Sequence, residues 1–203
     1  MSSSINCAEC TSRACVRGGA FPEGCPSVVM PEVVRSGIAK TALDAFACRV
    51  MAAASAAIRT DDGNLRNRME ETIALCKEMG FLKIGIAFCV ALAKEARVVA
   101  SALSNAGFEV VPVCCKVGRV GFKDLCVETA CHEKGSSCNP VTQAEIMNAH
   151  ATDLNIVLGL CVGHDILFAR YSRSPITTLV VKDRALRHNP IAAMQEHKEI
   201  TIA

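Results

Sequence analysis

Four short stretches of nearly uninterrupted apolar residues constrain this chain more than anything else: KIGIAFC (83–89), FEVVPVCC (108–115), LNIVLGLC (154–161) and ITTLVVKD (176–183). Each is strand length, and each is continuous instead of alternating, which is the pattern of strands covered on both faces. Helical patterns lie between them. One runs over about 91–105 and ends at Asn105-Ala106-Gly107; another runs from about His164 to Tyr171. The alternation predicts an α/β fold, a Rossmann-like parallel sheet of about four strands flanked by helices.

Upstream, Pro31 to Arg59 is Ala-rich, and Ile38, Leu43, Phe46, Val50 and Met51 recur at roughly helical intervals, predicting one amphipathic helix. TDDGN (60–64) punctuates it, and a second helix is expected from about Leu65 to Met79, stopping at Gly80. Between the second and third strands lies a Gly/Cys-rich loop, about 117–137. A helix then starts at Pro140, with Thr142 and Glu145 as its expected capping box. The expected organisation is a Cys-rich metal-binding module (1–27), a helical segment (28–80) and an α/β domain (81–203), the last two forming one compact unit.

Of 203 residues, only seven Phe and one Tyr are aromatic, so the core must come from Ala, Val, Ile and Leu. The 22 basic and 20 acidic residues are spread along the chain without a basic block, which argues against a nucleic-acid partner. No apolar window approaches the roughly 20 residues that span a bilayer. MSSSINCAEC lacks the charged-then-apolar pattern of a secretory leader. A cytoplasmic location is expected, where thiols stay reduced. The 13 cysteines, an odd number, are then ligands, reactive groups or small core residues and not a disulfide framework.

Cys7 and Cys10 form a C-x2-C pair; Cys15 follows, then Cys25 with Pro26 behind it. Four thiolates complete a tetrahedral set that suits zinc or a [4Fe–4S] cluster. The Cys-Pro ending is shared with iron–sulfur ferredoxins, although the C-x4-C spacing is not. Residues 1–27 have few apolar groups to bury, so a metal would supply the free energy that orders them.

A second group of cysteines falls where ligands bind in such sheets, outside the carboxyl ends of the strands. Cys89 ends the first strand, Cys114 and Cys115 the second and Cys161 the third; Cys138 precedes the Pro140 helix. These form either a second cofactor or metal site or a set of reactive thiols. Cys89, Cys138 and Cys161 sit at helix N-termini, where the dipole favours thiolate. Only one of Cys114 and Cys115 should face the cleft, because strand neighbours point to opposite faces. Cys48 and Cys76 read as core residues within helices, and Cys126, Cys131 and His132 as weaker additional ligands.

GLCVGHD (159–165) has the Gly-x-Cys-x-Gly layout of a nucleophile elbow. Cys161 and His164 are therefore candidates for a catalytic nucleophile and its base, or for two ligands of one metal. KDRALRHNP (182–190) brings Lys182, Asp183, Arg184 and His188 towards the same edge, to bind an anion or orient His164. His197-Lys198-Glu199 is shared in kind with glutamine amidotransferases, but lies too close to Cys161 for that family's pattern.

The stretches RMEETI, KIGIAFC, FEVVPVCCKVG, CNPVTQAEIMN, TDLNIVLGLCVGHDILF and TLVVKDRALRHNP resemble a family of predicted metal-binding proteins, domain of unknown function 1847. The resemblance covers about Arg68 to Ala193, and the N-terminal C-x2-C-x4-C also resembles that family's start. It implies metal binding and supplies no reaction. Three expectations follow. The first is a redox or electron-transfer protein with an iron–sulfur cluster or zinc and a redox partner or small-molecule substrate. The second is a cysteine-nucleophile enzyme using Cys161. The third is a zinc-stabilised protein that stores or senses metal. Oligomerisation stays open in all three.

Overall fold

The computed structural model describes residues 6–125 and 135–195. Cys126, Cys131, His132 and the His197-Lys198-Glu199 group lie outside the described residues. The chain divides after Ser55 into two compact units.

The first unit begins with a 3-10 turn at Cys7–Glu9, followed by the short helices α1 (Ala14–Arg17) and α2 (Pro26–Val29). Two longer helices follow, α3 (Pro31–Leu43) and α4 (Ala45–Ala57), and α4 runs across the division. The single helix expected over 31–59 is thus two. Asp44 leaves helical space at φ −92°, ψ 106°. Its Oδ1 accepts the backbone N–H groups of Phe46 (2.9 Å) and Ala47 (3.2 Å), capping α4. The apolar positions expected to be buried are not: Ile38, Leu43, Phe46 and Met51 are exposed. So short a unit has too little chain to enclose a core. Cys48, expected in the core, is also exposed, whereas Cys76 is fully buried.

The second unit holds α5 (Arg68–Met79), α6 (Ala93–Asn105), α7 (Pro140–Ala149), α8 (Val162–Tyr171) and α9 (Ile191–Gln195) around strands β1 (Lys83–Phe88), β2 (Glu109–Cys114), β3 (Leu154–Leu158) and β4 (Ile176–Val180). The sheet is parallel throughout in the order β2-β1-β3-β4, so the Rossmann-like α/β class holds. Both faces are covered, as the continuous apolar runs require. One core joins Ile84, Ile86, Ile156 and Leu158 to Val99 and Leu103 of α6 and Cys76 of α5. The other joins Ala87, Val113 and Val157 to Ala144 and Met147 of α7 and Phe168 of α8.

Capping sets the helix starts. The Asn67 side chain accepts the N–H groups of Met69 and Glu70, and the Glu70 carboxylate accepts the Asn67 N–H. That reciprocal box moves the start of α5 from Leu65 to Arg68. At α7 the Asn139 side chain accepts the Thr142 N–H at 3.1 Å, so Asn139 caps the helix in place of the expected Thr142–Glu145 box. Among the described residues, no helix is long and apolar enough to cross a membrane.

Candidate functional site

Two groups of cysteines are assembled, one in each unit. In the first unit the Cys10 N–H donates to the Cys7 carbonyl (3.3 Å), which closes the C-x2-C turn. The Asn6 side chain caps that turn through the Ala8 N–H. Cys15 sits in α1, whose entry is bent by Arg13 at φ 47°. The Cys25 N–H donates to Pro22, and Cys25 caps α2. Cys7, Cys10, Cys15 and Cys25 all line one cavity of ≈ 150 Å³. Among the described residues, no three His, Cys, Asp or Glu side chains converge closely enough to share a single metal ion.

The second group lies at the carboxyl edge of the sheet, where β2 and β3 diverge to either side of β1. This is the topological switch point at which open α/β sheets bind ligands. The β1–β2 register pairs Phe88 with Cys114, so Cys89 and Cys115 stand side by side one residue later. Backbone bonds hold them: the Cys89 N–H donates to Leu158, the Cys115 N–H to Phe88, and the Asn139 N–H to Cys115. The last bond brings Cys138 alongside, with its Sγ 3.6 Å from that of Cys115. Of the adjacent pair, Cys115 makes these contacts; Cys114 joins none of them.

Lys182, just past β4, places Nζ 2.7 Å from Cys89 Sγ. Burial alone pushes the Cys89 thiol up. The Lys182 hydrogen bond, the Ala91 N–H, the Lys182 charge and a hydrogen bond with Cys115 outweigh it, and the thiol titrates below its ordinary value. Cys115 is pushed up to about 12, chiefly by burial. The two neighbours are therefore driven apart, one towards thiolate and one towards thiol.

Cys161 has the Gly159 turn before it but not the strained backbone of an elbow. It adopts φ −70°, ψ 154° as the cap of α8, and the positive φ falls on Gly159. Its Sγ meets Arg184 Nη2 at 3.1 Å. No side-chain hydrogen bond joins Cys161 to His164 among the described residues. Burial and then the charges of Lys116, Arg184 and Lys182 lower the pKa of His164. Of the other residues expected at this edge, Asp183 and His188 close their own turn: His188 Nδ1 accepts the Asp183 N–H. Lys116, whose charge the sequence reading missed, follows Cys115 directly; adjacency to a strand-end cysteine was its only signal.

Burial also pushes the Asp165 carboxyl from 3.8 up to about 6, and its Oδ1 has no hydrogen-bond partner. A carboxyl raised in the folded state contributes stability that is complete below 3.8 and lost as pH rises through about 6. Asp165→Asn is therefore expected to melt higher than wild type at pH 7, with the gap closing as pH falls to 4. Thermal unfolding across that range checks it.

The chain resembles an uncharacterised protein of Methanocaldococcus jannaschii, at 40% identity over 193 residues, covering 94% of this chain and 93% of the relative. The profile of the family described as protein of unknown function (DUF1847) matches residues 25–179. That span takes in Cys25 and all five strand-edge cysteines and stops before Lys182. On both comparisons, this chain belongs to the DUF1847 family of proteins of unknown function.

Proposed function

We propose that this protein is a cysteine-ligated iron–sulfur protein with a redox role, its cluster held by Cys7, Cys10, Cys15 and Cys25. One observation carries the reading. Four thiols from three short turns line a common cavity, and no three of them converge on a single ion. Tetrahedral zinc with Zn–S near 2.3 Å needs sulfurs about 3.8 Å apart. A four-iron cluster takes one thiolate at each iron, so its four ligands stand farther apart than the four of a single zinc ion. Such a group supplies reversible one-electron transfer when bound.

The chain's own part is to fix the thiols. Among the described residues before Pro31, only Ala14 is buried, so apolar burial adds little order there. Ligation then provides the free energy that holds three short turns together, as in small metal-dependent modules. Anaerobic purification followed by iron and acid-labile sulfide analysis tests this. About four of each per chain is expected, with both lost together with the visible absorbance in a Cys7→Ala/Cys10→Ala variant. Stoichiometric zinc without sulfide would overturn it.

A further inference from the structure

The thiols at the sheet edge carry a chemistry of their own. Cys89 and Cys115 follow the paired strand residues Phe88 and Cys114 and share one core cluster. The Cys115 sulfur accepts the N–H of Val90, next to Cys89, at 3.3 Å and lies 3.6 Å from that of Cys138, so the three thiols are neighbours. A covalent S–S bond is about 2.05 Å long, so closing the 3.6 Å contact between Cys115 and Cys138 needs only a small side-chain shift. Lys116, Lys182 and Arg184 surround this edge, and among the described residues none of them is paired with a carboxylate. That excess of positive charge opposes a bound metal cation. It favours a thiolate and an anionic leaving group. Access is narrow: Cys89 is 7% exposed and Cys115 is 1% exposed, so a reactant must be small.

We propose that this edge is a two-electron thiol relay: Cys89 attacks a small hydroperoxide, and the oxidation passes through Cys115 to end as a Cys115–Cys138 disulfide. In the first step the Cys89 sulfur bonds the terminal peroxide oxygen and the O–O bond breaks. The alkoxide or hydroxide leaves towards the cations and takes a proton from water, and Cys89 becomes a sulfenic acid. Cys115 then attacks that sulfur. Its proton departs with the hydroxide as water, and a Cys89–Cys115 disulfide remains. Cys138 loses its proton, attacks Cys115 and expels Cys89 as a thiolate beside Lys182. The better-stabilised thiolate is the better leaving group, which sets the direction. In sum, one hydroperoxide and two thiols give one disulfide, one alcohol (water, for hydrogen peroxide itself) and one water.

The test treats the purified full-length chain anaerobically with one equivalent of hydrogen peroxide, quenches with an alkylating agent and maps peptides by mass. Wild type is expected to yield a Cys115–Cys138 disulfide with Cys89 free. Cys138→Ser should stall at Cys89–Cys115, and Cys115→Ser should leave a sulfenic acid on Cys89 that dimedone captures. Cys89→Ser should lower the disulfide yield by about tenfold or more. Formation of Cys115–Cys138 in Cys89→Ser at the wild-type rate would overturn the relay. Wild type alone gives a second reading, because dimedone added with the peroxide should label Cys89 first; first labelling at Cys115 or Cys138 would also overturn it. The readout is the state of three named cysteines, whether or not the first unit holds iron.

Discussion

Gly85→Ala is expected to lower the melting temperature by about 10 °C. A Cβ built on Gly85 would stand 2.1 Å from Asn155 Oδ1 and 2.7 Å from Met147 Sδ, well inside contact distance. Met147 and Asn155 are both fully buried and have little room to retreat. The Asn155 amide is also committed to a network. Its Oδ1 accepts Thr152 Oγ1 (2.8 Å), and its Nδ2 donates to Ser172 Oγ (2.9 Å). Overpacking costs about 1–3 kcal/mol. Displacing Asn155 leaves buried polar groups unpaired, at about 1–3 kcal/mol more. At about 2–4 °C per kcal/mol for a chain of this size, the two together give the stated shift. Gly163→Ala is the control, since a Cβ there meets nothing within 4 Å. Differential scanning calorimetry showing equal losses for the two variants would sink the argument.

Lys182→Met should slow alkylation of Cys89 at pH 7 by about tenfold. The sign follows from the competing influences on that thiol. Burial raises it, and the Lys182 hydrogen bond and charge are prominent among the influences that reverse the effect. With the ammonium gone, burial dominates, the thiol stays protonated to higher pH, and the nucleophilic form is scarce at neutrality. Iodoacetamide labelling with peptide mapping over pH 6–10 reads this directly. The Cys89 profile should move to higher pH in Lys182→Met and return most of the way in Lys182→Arg. An unchanged Cys89 profile would show that the 2.7 Å contact does not govern the thiol.

The strands were legible because local pattern decides them. Each apolar run from Lys83, Glu109, Leu154 and Ile176 became a parallel strand, since no other element of that length needs both faces buried. The helices before the sheet were less legible. Apolar spacing suggested one helix over 31–59, but spacing carries no information about a side chain that caps its neighbours, and Asp44 breaks the run in that way. Burial in that region was misjudged for a related reason. Periodicity shows which face could be covered, and it cannot show whether the unit has enough chain to cover it.

The candidate sites divide in the same way. Cys7, Cys10, Cys15 and Cys25 could be grouped by their spacing within 19 residues, and the fold brings all four to the lining of one cavity. The edge of the sheet was legible only as a location. Strand ends placed Cys89, Cys115 and Cys161 there, but which cation meets which thiol depends on strand order and register. Lys182 reaches Cys89 across 93 residues, and Arg184, not His164, reaches Cys161. By itself the sequence determined the parallel sheet and the cysteines at its rim, since hydrophobic period and strand length are local properties. Only the tertiary structure decided that Cys89 is the thiol beside a cation and Cys115 the one beside Cys138, since charge acts through space and the neighbours in space are distant in the chain.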